Sequence, residues 1–195
     1  MKNIIKNTAI LTAITLVAGI LLGFVYDITK EPIAQAKEKA KNEAYQAVMQ
    51  EADTFEALEV EAIELGISGC VIDEVVSAKA GDEVKGFVVT TTSSEGYGGN
   101  IQVSVGIAAD GTVKGIEMLA IAETAGLGMN ANTPEFKAQY ADVLTDAFVV
   151  TKTGAAADNE IDAISGATIT SNAVTNAVNS AVKYFNEVLG GSVNE

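Results

Sequence analysis

The chain has 195 residues, and 48% of them are hydrophobic, which is enough for one membrane segment and one globular domain with a core. It carries 26 acidic and 12 basic residues, all of the latter Lys, and a net charge of -14. Such a charge argues against nucleic acid as a partner, because binding there depends on basic side chains that neutralise phosphates. With no His and one Cys, the sequence excludes a CxxCH haem site, a four-cysteine iron–sulfur cluster, a His-based zinc site and a Ser-His-Asp triad. Any redox cofactor would therefore be organic.

The N-terminal region contains a long uncharged segment, residues 7–26, between Lys6 and Asp27. A helix rises about 1.5 Å per residue, so a segment of this length matches a hydrocarbon core of about 30 Å. The segment is longer than the apolar part of a typical signal peptide, and no clear cleavage pattern follows it. The sequence therefore predicts a retained transmembrane helix over 7–26, preceded by a short N-terminus, residues 1–6.

Charge alone leaves the orientation of this helix open. Lys2 and Lys6 favour a cytoplasmic N-terminus, but four more lysines follow the apolar segment within the window that the positive-inside rule considers. These are Lys30, Lys37, Lys39 and Lys41.

Residues 27–50 are rich in Ala, Lys, Glu and Gln, which are good helix formers. Pro32 stands where a first helical turn tolerates it, so we expect a separate helix to begin close to this residue. The composition predicts a solvated helical stalk that leads to a globular domain over residues 51–195.

The domain begins with strand-like runs that are rich in β-branched residues. Tight turns separate these runs, and Asp110-Gly111 is a strong hairpin signal. Consecutive strands joined by tight turns predict an antiparallel sheet. The expected strands are residues 70–78, 86–92, 101–108 and 113–121. Cys70, at the start of the first, is interpreted as a small buried hydrophobic residue.

The second half of the domain mixes loops, helices and one strand. We expect a loop over 122–136, a short helix over 134–144, a strand over 147–152, a loop to Glu160, and a helix over 169–189. The last helix has apolar residues at helical spacing, so it should pack on the sheet and complete an α+β fold. These residues are Ala173, Val174, Ala177, Val178, Ala181, Val182 and Phe185.

Directly before this helix lies a cluster of polar side chains, "DAISGATITSNAV", over residues 162–174. Small residues at Gly166 and Ala167 would let a bulky group approach the backbone. The free N–H groups of a helix's first turn favour anions, and nearby hydroxyls could add phosphate ligands. The residue types alone also allow a simpler interpretation, in which Ser or Thr only caps the helix and Asp162 closes a turn.

Residues 162–170 resemble the flavinylation motif D-x-x-(S/T)-G-A-(S/T)-x-(S/T) of the FMN-binding domain family. The resemblance implies that Thr168 accepts FMN through a phosphodiester, and that a flavin transferase installs the group from FAD. The other site residues that this motif implies are Asp162, Ser165, Gly166, Ala167 and Thr170.

Two further segments resemble the same family. Residues 96–119 are similar to its sheet segment, and "ETAGLG" over residues 123–128 is similar to its E-T-P-G-L-G loop, with Ala125 in place of the usual Pro. The loop's residues are therefore expected beside the flavin: Glu123, Thr124, Gly126, Leu127 and Gly128. Tyr97, in the Gly-rich turn before the loop, is either a flavin neighbour or ordinary turn packing.

Nearly the whole chain resembles the G subunits of Rnf electron-transport complexes, which are related to the C subunits of sodium-pumping NADH:quinone reductases. The resemblance implies an extracytoplasmic domain on a single-pass anchor, covalent FMN, and other membrane subunits as partners in coupling ferredoxin:NAD electron transfer to ion translocation. One anchor without charged residues supplies no ion path, so this chain should carry electrons and not pump ions by itself. Two alternatives stay open: a stand-alone extracytoplasmic flavoprotein, and a cofactor-free anchored binding module.

Overall fold

The computed structural model describes residues 1–190, so the last five residues of the predicted domain over 51–195 lie outside it. The chain divides into two compact units, Met1–Lys41 and Asn42–Glu195. The first is helical and the second contains all of the sheet.

Helix α1 extends over Lys2–Val48. Residues 27–50, predicted as a helical stalk, are helical as far as Val48, but the placement of Pro32 in a first helical turn is wrong, because Pro32 lies inside the continuous helix. Proline removes only one backbone hydrogen bond, and strong helix formers flank it on both sides. Within residues 1–190, α1 is the one helix long and apolar enough to cross a membrane. Its apolar side chains are exposed from Ile4 to Ile33, as a bilayer anchor requires.

Six strands form one antiparallel sheet in the order of the chain. Strands β2 to β5 confirm the predicted antiparallel sheet with small shifts at their ends. The edge strands β1 and β6 were not predicted, because one is mostly exposed and the other is only two residues long. The strands are β1 Thr54–Leu58, β2 Cys70–Ala80, β3 Glu83–Ser93, β4 Ile101–Ala108, β5 Thr112–Ala120 and β6 Val143–Leu144.

The region after the sheet differs more from the expectation. A 3-10 turn, Gly128–Asn132, precedes helix α2, which covers only Pro134–Ala138 in place of the predicted 134–144. Asp142 has a φ of 57°, a left-handed conformation that a helix cannot continue through. The predicted strand over 147–152 is present as β7, Val149–Thr151, and pairs in parallel with a short strand β8, Glu160–Asp162.

Helix α3, Thr168–Tyr184, continues into a π-helical turn, Phe185–Leu189, and packs on the sheet. All seven residues predicted to form its apolar face are buried, which confirms the prediction. Tyr140 supports the helix from the side, because its hydroxyl lies 2.8 Å from Thr175 Oγ1.

Cys70 begins β2, as predicted, and is partly buried. Burial raises the pKa of its thiol above the ordinary value. The thiol therefore stays neutral near pH 7, in agreement with a packing role.

The opposite face of the sheet is covered by the C-terminal end of α1. Tyr45, Val48 and Met49 pack there against β2 and β3, in a second apolar cluster that includes Val76 and Val88. Val75 and Val89, one position along, belong to the main core, as the alternation of side chains along a strand requires. The sheet is thus buried on both faces.

We predict that Gly106→Ala in β4 destabilises the domain. The added methyl group would lie 2.4 Å from the Val48 carbonyl oxygen, so the end of α1 must move off the sheet. The free energy of unfolding should fall by about 1 to 3 kcal/mol, as for other overpacked sites. Thermal unfolding of the detergent-solubilised chain measures the change. Gly19→Ala is the control, since its methyl group meets no atom within 4 Å, and equal melting of the two variants would contradict the prediction.

Candidate functional site

The first part of the site is a tight turn with Ala125 and Gly126 at its centre. Leu127 N–H donates to the Thr124 carbonyl oxygen at 3.1 Å. Gly126 has a φ of 76°. Ala125 has a negative φ, since Asp142 is the only non-glycine residue with a positive φ among residues 1–190. A negative φ followed by a positive one marks a type II turn, which favours Pro at its second position. Ala125 therefore occupies a position whose conformation Pro also adopts.

The second part is a turn of the same kind directly before α3. Ala167 N–H donates to the Ile164 carbonyl oxygen at 2.9 Å, and Gly166 has a φ of 76°. A methyl group added to Gly166 would lie 3.2 Å from Leu127 Cδ2. The two turns therefore face each other across a short distance, although nearly 40 residues of chain separate them.

A cavity of about 600 Å³ opens where the turns meet. Tyr97, Leu127 and Ile169 are exposed apolar residues at the cavity. Ile169 was not predicted, because it occupies a variable position of the motif. The lining residues are Tyr97, Glu123, Thr124, Leu127, Gly128, Gly166, Ala167, Thr168, Ile169 and Thr170.

Three of the predicted site residues do not line this cavity: Gly126, Ser165 and Asp162. Gly126 and Ser165 lie within the two turns and shape the backbone. Asp162 is exposed on β8, where its N–H donates to Gln139 Oε1 at 2.6 Å. Direct contact of these three residues with a ligand remains a prediction.

Helix α3 begins without a side-chain cap. Its N-cap residue is Ala167, and no side chain in the described part of the chain caps the first turn. The interpretation of the polar cluster as a simple cap is therefore wrong. Ser171 instead braces the turn, since its Oγ accepts from Ile164 N–H at 3.0 Å and donates to the Ala167 carbonyl oxygen at 3.1 Å. The free N–H groups of the first turn remain available to an anion.

Thr168 is the first residue of α3, is half-buried and lines the cavity. Thr170 is buried, and a methyl group added to Gly128 would lie 2.6 Å from its Oγ1. Thr170 thus packs the helix start against the Gly128 segment, while Thr168 lines the cavity.

The cavity holds one charged side chain, Glu123, and none of the lysines of residues 1–190 lines it. The cavity could therefore bind a phosphate through hydroxyls and backbone N–H groups beside small residues. Its apolar side chains could contact a flat ring system. The residues present thus fit a flavin nucleotide held at its phosphate by the start of a helix.

Comparison with known proteins identifies the families that two parts of the chain match. The model of the FMN-binding domain family matches residues 96–183, and that of the RnfG N-terminal region matches residues 1–48. The first match contains the Gly-rich turn, the loop after β5 and the motif at the start of α3. Residues 96–183 of the globular part are therefore an FMN-binding domain.

Two relatives extend the similarity along nearly the whole chain. The G subunit of the proton-translocating ferredoxin:NAD(+) oxidoreductase complex of Clostridium ljungdahlii is 32% identical over 97% of this chain and 96% of its own. The G subunit of the Na(+)-translocating complex of Acetobacterium woodii is 34% identical over 94% of this chain and 92% of its own. The chain belongs to the family of G subunits of Rnf ion-translocating oxidoreductase complexes.

A solved structure supports the fold. The crystal structure of the C subunit of the Na(+)-translocating NADH-quinone reductase from Parabacteroides distasonis superposes with a TM-score of 0.55 at 16% identity, over 78% of this chain and 94% of that one. The two proteins therefore share the fold of the domain.

We predict that Ala125→Pro stabilises the chain. The turn conformation suits Pro, and Ala125 N–H donates no hydrogen bond in the described residues. Proline restricts the unfolded chain, so the free energy of unfolding should rise by about 0.4 to 1 kcal/mol. Chemical denaturation measures the free energy of unfolding. Ala156→Pro is the matched control and should destabilise, because Ala156 N–H donates to Glu160 Oε2 at 2.7 Å. A loss of stability in Ala125→Pro would contradict the type II assignment.

Proposed function

We propose that this chain carries FMN covalently, through a phosphodiester between the flavin phosphate and Thr168 Oγ1, and that the flavin relays electrons within an Rnf complex. One observation carries the proposal. Thr168 is a half-buried first residue of a helix without a side-chain cap, and it lines the cavity formed by the two turns. It also occupies the acceptor position of the flavinylation motif that residues 162–170 resemble.

The attachment requires a flavin transferase and FAD as co-substrate. A bond forms between Thr168 Oγ1 and the phosphorus of the FMN half, and the pyrophosphate bond of FAD breaks. AMP leaves, and the hydroxyl proton passes to solvent. No electrons are transferred in this step, so the isoalloxazine ring keeps its redox chemistry.

The electrostatics of the cavity explain why a covalent bond is useful. No Arg exists in the chain and no Lys of residues 1–190 lines the cavity, so a free phosphate dianion would find no cation in its lining. The diester carries a single negative charge, which the N–H groups at the start of α3 can accommodate. The bond also prevents loss of the cofactor on a side of the membrane where free FMN would diffuse away.

The redox chemistry belongs to the flavin, and the chain supplies its position and surroundings. Tyr97, Leu127 and Ile169 present apolar surface around the cavity, which suits the faces of a flavin ring. The relatives are named as subunits of ferredoxin:NAD(+) oxidoreductase complexes that translocate ions. We infer that neighbouring membrane subunits deliver and remove the electrons. The span over residues 7–26 has no acidic or basic side chain, so it provides no ion path of its own.

We predict that Thr168→Val abolishes covalent flavin, because Val has nearly the same shape and no hydroxyl. Chain coexpressed with the transferase should give flavin fluorescence in a denaturing gel and an FMN adduct on the peptide that contains Thr168. The variant should give neither. Its stability should change by less than about 0.5 kcal/mol, since the side chain is only half-buried.

Thr168→Ser is the matched control and should stay fluorescent, because it keeps an acceptor oxygen. A yellow colour that washes out of the wild-type chain on unfolding would contradict covalent attachment. Covalent flavin that persists in Thr168→Val would place the bond on another residue.

We also propose that the domain after α1 is extracytoplasmic. Protease added to right-side-out membrane vesicles should digest residues beyond the anchor, while inverted vesicles should protect them until detergent is added. Protection in right-side-out vesicles would instead place the domain in the cytoplasm. The digestion is monitored by immunodetection of an epitope tag added after residue 190.

A further inference from the structure

The carboxylate of Glu123 stands out among the residues of the cavity. Glu123 is 9% exposed, follows strand β5, and is the only charged side chain of residues 1–190 in the lining. The resemblance of residues 123–128 to the E-T-P-G-L-G loop predicts that Glu123 lies beside the flavin, but it assigns no role to this side chain. Burying a carboxylate is unfavourable unless hydrogen bonds or an opposite charge compensate for the lost hydration.

The protein compensates for little of this cost. Glu123 Oε1 accepts a hydrogen bond from Gly98 N–H at 3.2 Å. Within residues 1–190, no other hydrogen bond and no ion pair reaches this carboxylate. An ionised carboxylate has about four acceptor positions on its two oxygens, so Glu123 retains acceptor capacity at the cavity.

The carboxylate lies close to two glycines, where any side chain would collide with it. A methyl group added to Gly96 would lie 2.9 Å from Oε1, and one added to Gly128 would lie 2.7 Å from Oε2. The side chain is therefore held between the Gly-rich turn that contains Tyr97 and the segment after Leu127.

We propose that Glu123 contacts the bound flavin, that its carboxylate accepts a hydrogen bond from the N3–H group of the isoalloxazine ring, and that its charge lowers the flavin's reduction potential. This inference rests on the proposed function, which places FMN in the same cavity. N3–H is a donor that the ring presents in its oxidised and reduced forms. Reduction adds electron density to the ring, and a fixed negative charge beside the ring makes that addition less favourable.

The test uses the full chain, flavinylated and purified in detergent, with Glu123→Gln as the variant. Gln keeps the size of the side chain and removes the charge. At a fixed ambient potential, the ratio of reduced to oxidised flavin should rise about tenfold or more, which is a shift of the midpoint potential to more positive values. Spectroelectrochemical titration of the flavin absorbance measures the ratio.

Two variants control for the charge and for the position. Glu135→Gln removes the same charge from an exposed site in the first turn of α2, outside the cavity, and should leave the potential unchanged. Glu123→Asp keeps the charge and should leave the potential closer to that of the wild type than Glu123→Gln does.

Mass spectrometry of the Thr168 peptide accompanies every titration. Absence of an adduct in the wild-type chain would overturn the proposed function and not this inference alone. An adduct in both proteins with the same potential would overturn the role of Glu123 and leave the attachment intact.

A second measurement covers the case in which Glu123→Gln does not fold or mature. In the wild-type chain carrying ¹⁵N-labelled flavin, a hydrogen-bonded N3–H should give a slowly exchanging proton resonance. Rapid exchange of that proton with solvent would overturn the proposed contact. Glu123→Asp should speed the exchange, because the shorter side chain withdraws the acceptor.

Discussion

The close approach of two turns is the constraint on which the site depends. Each turn has a glycine with a φ of 76° at its third position, and Leu127 of one turn lies against Gly166 of the other. A side chain at Gly166 would strain the backbone and push this leucine away. Because the turns meet here, the first residue of α3, Thr168, lies at a cavity and not on a featureless surface.

The sheet and α3 hold these turns in place. Helix α3 buries its apolar face on β2, β3 and β4, which fixes where its first turn lies. Glu95 adds a polar connection, since its carboxylate accepts from Ser68 Oγ at 2.8 Å and from Asn176 Nδ2 at 3.1 Å. The Gly-rich turn after Glu95 is thereby tied to the helix, and Glu123 is tied to that turn through Gly98. Packing in the core thus determines where the turns around the cavity lie.

The electrostatic character of the chain gives the covalent bond that we propose a physical purpose. A protein with a net charge of -14 and no Arg is a poor environment for a free dianionic phosphate. A helix start provides only partial positive charge, which suits a singly charged diester better than a dianion. A membrane anchor in α1 would likewise keep the proposed flavin close to the membrane.

Several features followed from the sequence alone, because they depend on local pattern. The segment over 7–26 is a continuous uncharged run, and the motif around Thr168 matches a short signature. The strands β2 to β5 and the apolar face of α3 follow from β-branched runs and from helical spacing. Other features needed the tertiary structure. Helix α2 ends at Ala138, before the left-handed Asp142, and α3 begins at Thr168 without a side-chain cap. Ile169 lines the same cavity as Leu127, which comes from a distant part of the chain. The Glu123 carboxylate likewise lies close to Gly98 and Gly128 only after the chain has folded. Periodicity records which face of an element is apolar, but it contains no information on which distant turns will meet, because that is decided by packing across the whole core.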